Sequence, residues 1–442
     1  MKILIKDGII VTMNAKRQII QGDILIEDDQ ISQLGDVEFQ QVDKTIDARG
    51  KLVIPGLIQS HVHLCQTLFR GMADDLQLLD WLNLRIWPLE AAHDEDSLYY
   101  SALLGCGELL RGGTTSVIDM GTVRHTSAIF EAVSRAGIRY LGGKCMMDHG
   151  NGNAALLTED TTTSLQESVD LLERWHGREN GRLNYAFCPR FVPSCSEEML
   201  LQVKQLADEY QVPVHTHASE NKDEIELVIR ERGRRNIVYL NDLGLLNERL
   251  ILAHCIQVDK AEQNLLTTAK VNVAHCPSCN LKLASGIAPV PEYLKRGVNV
   301  SLGADGAPAN NNLSMFIEMR MSALIQKPIW GPTVMPAEEV FEMATLGGAR
   351  AMGLQGQIGS LEEGKKADIV VVDINKWHTC PVSAAGVYAQ LVYQVQTQDV
   401  CCTIIDGKII MEKGEFLTLD QADILQGAES SLQRVRQRAG LV

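Results

Sequence analysis

His61 and His63 stand one residue apart in Pro55-Gly56-Leu57-Ile58-Gln59-Ser60-His61-Val62-His63, which follows an apolar run, Leu52-Val53-Ile54. Residues two apart on a strand point to the same face. Two imidazoles on one face, at the end of a buried strand, can grip one cation. Three later apolar runs also end in a histidine or an aspartate: Thr216-His217, Ala253-His254 and Ala304-Asp305. Three histidines and a carboxylate suit zinc or a similar divalent ion that keeps one position open for water. The ligand set read here is His61, His63, His217 and Asp305. Such an ion lowers the pKa of water from ~15.7 toward ~7, which supplies a hydroxide nucleophile. Asp305 would both touch the ion and take the proton of that water.

Glu220 lies three residues after His217, in His-Ala-Ser-Glu. It falls just past the strand end, where a general acid/base is needed to hand a proton to a substrate. The same position suits a carboxylate that merely favours a helix N-terminus. His254 is placed to polarise the attacking water. His215 precedes His217 by two, faces the same way deeper inside, and reads as packing. His275-Cys276-Pro277-Ser278-Cys279 offers two thiols, but no His-x-Glu lies upstream and a second ligand pair is missing. It therefore reads as buried thiols rather than a cytidine-deaminase or structural zinc motif. Gly-x-Ser-x-Gly is absent, so a serine hydrolase has no support.

These side chains need elements to position them. Eight strand-like runs cover 52–58, 115–119, 139–143, 183–187, 213–217, 250–254, 271–275 and 298–303. Helix-like stretches such as 97–111, 128–136, 164–176, 197–210 and 224–232 separate most of them, which is the signature of a parallel α/β fold. Eight βα units close into a barrel more naturally than into an open sheet, with the chemistry at the C-terminal strand ends. Those ends carry His61/His63, Asp119, Lys144, Arg190, His217, His254, His275 and Asp305. Residues 64–92 read as a long loop with Trp81 and Trp87, a lid over the site.

Short strands recur at both termini, with hairpin signals at Asp7-Gly8, Asp28-Asp29 and Asp406-Gly407. Neither end has enough apolar surface to stand alone, so the two are expected to build one small β-sandwich. The division that follows is 1–55, the N-terminal part of the sandwich; 56–360, a metal-dependent (β/α)8 hydrolase barrel; and 361–442, the rest of the sandwich plus a polar surface helix from Asp420.

The chain has 442 residues, 45% hydrophobic and 22% charged, ordinary values for a soluble protein. A net charge of −15 argues against a nucleic-acid backbone as partner but not against a small nucleoside or base. No run of ~18 apolar residues is present and no secretory leader opens the sequence. Eleven cysteines read as reduced thiols of a cytoplasmic protein. The expected partner is a small molecule, with no membrane, and with homo-oligomers left open.

Pro-Gly-Leu-Ile-x-x-His-x-His, His217-x-x-Glu220, Leu-Ala-His254 and Gly-Ala-Asp305-Gly together resemble the amidohydrolase superfamily. The branch holds methylthioadenosine/S-adenosylhomocysteine deaminases, 5′-deoxyadenosine deaminases, guanine deaminases and triazine hydrolases. The similarity covers essentially the whole chain. Asn280-Leu-Lys-Leu-Ala-Ser-Gly-Ile-Ala-Pro-Val and Asp305-Gly-Ala-Pro-Ala-Asn-Asn-Asn312 are especially similar to the adenosine-type deaminases. The resemblance implies one zinc, with iron or manganese able to compete, in a distorted (β/α)8 barrel with the terminal β-sandwich. It implies Glu220 and Asp305 as proton shuttles and His254 on the water. The implied reaction is deamination of adenosine-type nucleosides at the purine C6. The alternatives are a guanine or oxopurine deaminase and an s-triazine chloro- or aminohydrolase.

Four residues are candidates for substrate contact. His217 is one, beside its ligand role. Ile86-Trp87-Pro88-Leu89-Glu90 matches the loop whose Glu binds ribose hydroxyls in the nucleoside deaminases, which nominates Trp87 and Glu90. Cys188-Pro189-Arg190-Phe191 departs from the adenosine-type pattern, which has histidine where Arg190 stands; this and Lys144-Cys-Met-Met-Asp148 look more like guanine deaminases. A guanidinium only donates, so Arg190 suits a purine ring nitrogen or an oxopurine O6.

Overall fold

In the structure, a computed structural model that describes residues 1–38, 41–382 and 386–441, the histidine pair closes a fully buried strand, Leu57–His63. That strand pairs in parallel with Thr114–Met120, which pairs with Arg139–Gly143, which pairs with Leu183–Tyr185. A bridge from Phe187 to Val214 passes the run on to Val214–Ala218. Leu250–His254, Asn272–His275 and Asn299–Leu302 follow side by side. Asp305 and Gly306, directly beyond, return to pair with Val62 and His63. Gly303 permits that return: a Cβ there would stand 2.7 Å from the His61 carbonyl oxygen. Almost every residue of these strands is buried, as unbroken apolar runs require where helices cover both faces.

The intervening helices form where expected, with bounds set by their caps. Glu95–Arg111 starts behind a capping box of Asp94 and Ser97, and Lys222–Arg232 behind one of Asn221 and Glu224. Thr161–Trp175 and Glu197–Tyr210 start behind Asp160 and Ser196, whose side chains accept from the first turn. Residues 64–92 differ from expectation. They are mostly short helices, Leu64–Phe69, Leu78–Trp81, Leu82–Ile86 and Trp87–Ala91. Leu78, Trp81, Leu82, Ile86 and Leu89 are buried at helical spacing, which holds them there.

The run 52–58, expected as one strand, is two. Gly56 marks the break, because a Cβ there would meet the Thr115 side chain at 2.0 Å. Lys51–Pro55 pairs instead with Lys2–Val11 and Ile369–Asp373, so both termini share a sheet that is nine-stranded among the described residues. Its strands alternate. Val53, Ile369 and Val371 join a cluster with Ile3 and Ile24, whereas Leu52, Ile54, Val370 and Val372 pack toward the helices of the parallel unit. Asp7-Gly8 makes no hairpin: Lys2–Val11 runs through it, with a register shift between Ile5 and Gly8 and Asp7 at φ 60°. The left-handed preference serves a bulge rather than a turn. The hairpins at Asp28-Asp29 and Asp406-Gly407 do form. The last helix, Gln421–Arg438, buries Ile424, Ala428, Ser431 and Val435 and leaves most of its remaining surface exposed or half-buried. No helix among the described residues is long and apolar enough to cross a membrane.

One buried ion pair fastens the terminal sheet to the parallel unit. Arg139, at the start of Arg139–Gly143, donates Nε to Asp368 Oδ2 at 2.7 Å and Nη2 to Asp368 Oδ1 at 3.0 Å. It also holds Asp406, at the tip of the C-terminal hairpin. Removing one partner leaves buried charge uncompensated. Arg139→Met is therefore expected to lower the unfolding free energy by about 3–5 kcal/mol, read by chemical denaturation; a loss below about 1 kcal/mol would contradict this role.

Candidate metal centre

Nε2 of His63 and Nε2 of His217 lie 3.2 Å apart. Each ring commits its Nδ1–H to a carbonyl, Met120 O at 2.9 Å and Arg190 O at 2.7 Å. Both Nε2 atoms therefore carry lone pairs. Burial, helped by the neighbouring His61, lowers the His63 pKa to about 4 and that of His217 well below its ordinary value. At neutral pH two lone pairs face one another and repel. A cation between them removes the conflict.

Two further donors complete the set. Asp305 Oδ1 is 3.4 Å from His61 Nε2 and 3.5 Å from His63 Nε2. Ligands bound tetrahedrally at ~2.0–2.1 Å stand about 3.3 Å apart, so these spacings fit one zinc-sized ion. His61 Nε2 is buried with no partner, while its Nδ1 lies 3.0 Å from His215 Nε2. His215 thus does more than pack: it orients the ring of His61, a candidate ligand. Against burial, His61, His63 and His254 hold the Asp305 carboxyl well below the usual range. Asp305 itself sits at φ 65°, a left-handed conformation that turns the chain at the end of the last strand.

Glu220 is buried beside this set. Burial pushes its pKa up to about 7. It accepts from Ser285 Oγ at 3.3 Å and lies 3.4 Å from His254 Nε2. Asn221, not Glu220, caps the following helix, so the Glu220 carboxylate is free of that duty. His254 donates Nδ1–H to Asn280 Oδ1 at 2.9 Å, which leaves Nε2 unpartnered, 3.8 Å from Asp305 Oδ2. Although burial opposes it, Glu220 and Asp305 raise the His254 pKa.

A cavity opens over these groups, walled further by Gln66, Trp81, Arg190 and Leu283. Glu90 and Arg190, read separately from the sequence, meet each other. Arg190 donates Nη1 and Nη2 to the Glu90 oxygens at 2.6 and 3.3 Å, and Gln66 Nε2 adds a third bond at 2.7 Å. Neither Glu90 nor Trp87 lines the cavity. The helix Trp87–Ala91 turns both inward, whereas Leu78–Trp81 presents Trp81 to the cavity.

Other strand ends are structural. Lys144 Nζ pairs with Glu159 and Glu167 at 2.8 Å each. Asp119 accepts from the Leu64 N–H and the Tyr140 hydroxyl at 2.8 Å each, fixing the chain just past His63. His275 is buried and joins none of the donor groups among the described residues. Gln66 and Asn280 escaped sequence reading, whereas Trp81, expected in a lid, does wall the cavity. Gln66 left one signal, its place three residues after His63 on the first helical turn.

A sequence profile described as the amidohydrolase family matches residues 52–410. A 5'-deoxyadenosine deaminase of Methanothermobacter thermautotrophicus is 41% identical over 413 residues, 93% of this chain and 94% of the relative. A 5-methylthioadenosine/S-adenosylhomocysteine deaminase of Syntrophobacter fumaroxidans is 39% identical over 430 residues, 96% of each. Among solved structures, an adenosine deaminase from Xanthomonas campestris with bound zinc superposes with TM-score 0.92 at 32% identity, over 98% of each chain.

Removing a ligand tests the centre. His61→Ala is expected to lose most of its divalent metal, measured by elemental analysis, and nearly all turnover. Full metal occupancy in that variant would contradict the ligand set.

Proposed function

This chain belongs to the amidohydrolase family, and from that premise we propose that it is a zinc-dependent deaminase of adenosine-type nucleosides of the 5′-deoxyadenosine and methylthioadenosine class. The observation that carries the reading is the pair of facing lone pairs on His63 and His217, with Asp305, Glu220 and His254 gathered around them. The names of relatives about 40% identical along the chain support the substrate class.

His61, His63, His217 and Asp305 would hold the ion. When bound, it supplies a Lewis acid that makes water acidic near neutral pH. Glu220, which burial brings to about 7 and so leaves part-protonated at neutral pH, gives its proton to the purine nitrogen beside C6, which makes C6 electrophilic. His254 Nε2 holds the attacking water against Asp305 Oδ2, and Asp305 takes its proton. The C6–O bond forms first and makes C6 tetrahedral. On collapse the C6–N bond breaks, the proton held by Asp305 leaves with the amine as ammonia, and the proton of the new C6 hydroxyl passes to Glu220 as the carbonyl forms. Glu220 and Asp305 then return to their starting states.

The scaffold is read as a distorted (β/α)8 barrel, a reading supported by the pairings that pass from Leu57–His63 through seven neighbours and back at Asp305. The terminal sheet, with its own apolar cluster, is read as the β-sandwich. The division 1–55, 56–360 and 361–442 follows from that assignment. Free, mostly buried thiols fit a reducing cytoplasm.

A second reading, deamination of an oxopurine such as guanine, draws on Arg190. Its guanidinium lines the cavity beside Gln66, whose Oε1 is buried without a partner. Together they offer a donor and an acceptor to a base edge. Glu90, bonded to Arg190 and Gln66 behind the cavity wall, gives no direct support to a ribose contact, so the nucleoside reading rests on the relatives.

Two measurements decide. Glu220→Gln should keep the metal and lose turnover by ~10²–10⁴-fold, the range for a missing general acid/base; turnover within a few-fold of wild type would move proton transfer to another residue. Ammonia release should give a higher kcat/KM for 5′-deoxyadenosine than for guanine. A guanine value equal or higher would promote the oxopurine reading.

A further inference from the structure

Cys276 caps and Cys279 lies on the helix Pro277–Lys282, and the proposed reaction leaves both thiols unused. The two thiols part company. Cys276 Sγ meets the Ala274 carbonyl at 3.8 Å. Cys279 Sγ, a Glu220 oxygen and a His254 nitrogen all lie within 4.8 Å of one another, and all three side chains are buried. His254 commits Nδ1 to Asn280, so its orphaned Nε2 is aimed into this group, 3.4 Å from Glu220 Oε2.

We infer that Cys279, His254 and Glu220 form a second divalent-cation site, beside the His61–His63–His217–Asp305 set, which takes a thiophilic ion such as zinc or cadmium and stops turnover when filled. Imidazole nitrogen, carboxylate oxygen and thiolate sulfur are all zinc donors. A thiolate makes this site softer than the first and selects zinc or cadmium over magnesium or manganese. Asp305 points Oδ1 toward the first set and Oδ2 toward His254. One carboxylate can therefore serve both ions, as in two-metal sites with ions ~3.5–4 Å apart. The ion enters as the sulfur–, oxygen– and nitrogen–metal bonds form, displacing to solvent the Cys279 thiol proton and any proton on Glu220 or His254 Nε2.

Filling this site takes Glu220 and His254 away from the substrate proton and the attacking water. That effect on turnover rests on their proposed roles; binding of the ion does not. The chain also has an exposed thiol, Cys380, so the test uses a Cys380→Ser background. Protein loaded with one equivalent of zinc is titrated with cadmium, reading the ultraviolet sulfur-to-cadmium charge-transfer band. A parallel titration with zinc reads ammonia release from 5′-deoxyadenosine. The band should saturate at one further equivalent, and excess zinc should lower turnover at least about ten-fold relative to the one-equivalent enzyme. Adding Cys279→Ser should abolish the band and raise the half-inhibiting zinc concentration by about 10–100-fold, the scale of lost metal-site groups. No band with Cys279 present, or an unchanged half-inhibiting concentration in the serine variant, would overturn the inference. If no purine releases ammonia, the band and ion count still decide this site, so the two failures are distinguishable.

Discussion

Two imidazole nitrogens held lone pair to lone pair are the constraint on which the site depends. The protein imposes it through backbone, not side chain. The Met120 carbonyl that fixes His63 ends the neighbouring strand Thr114–Met120. The Arg190 carbonyl that fixes His217 lies where Phe191 bridges to His217. The tautomer of each ring is thus a consequence of parallel register. A slip of one residue would turn the side chains to the opposite face and remove both acceptors. The apolar strands that enforce register and the helices that cover them are in this sense part of the candidate metal centre.

Burying so much charge is costly unless each group is matched. The structure uses three solutions at and just behind the cavity wall. Glu90 is neutralised by Arg190 and bonded by Gln66. Glu220, with no cationic partner of that kind, is pushed up to about 7 by burial. Asp305 is held ionised by the surrounding imidazoles. Glu90 and Asp305 therefore reach neutral pH ionised while Glu220 is part-protonated, and this separation lets Glu220 donate a proton while Asp305 accepts one. The nitrogens of His61 and His254 stand buried without a partner, and buried polar atoms of this kind call for a cationic or protic one.

Much of this was legible in the residues. Alternating apolar runs and amphipathic stretches located the parallel unit, and the spacing of His61, His63, His217 and Asp305 picked out side chains that the fold does bring together. What remained hidden was local. Asp7-Gly8 has the chemistry of a turn, but flanking strands long enough to pair straight through it convert the same residues into a bulge. Residues 64–92 lack a long period, so helices of four to six residues leave no clear pattern. Glu90 and Arg190 are 100 positions apart, and no local rule could show that each is the other's partner. Asn280 and His215 act through another side chain, which only three-dimensional placement exposes.

The central claim is that nitrogen and oxygen, not sulfur, surround the first ion. Zinc-edge X-ray absorption on protein loaded with a single equivalent reads this directly. The account predicts a shell of nitrogen and oxygen at ~2.0–2.2 Å with no sulfur; a sulfur scatterer at ~2.3 Å at that loading would contradict it.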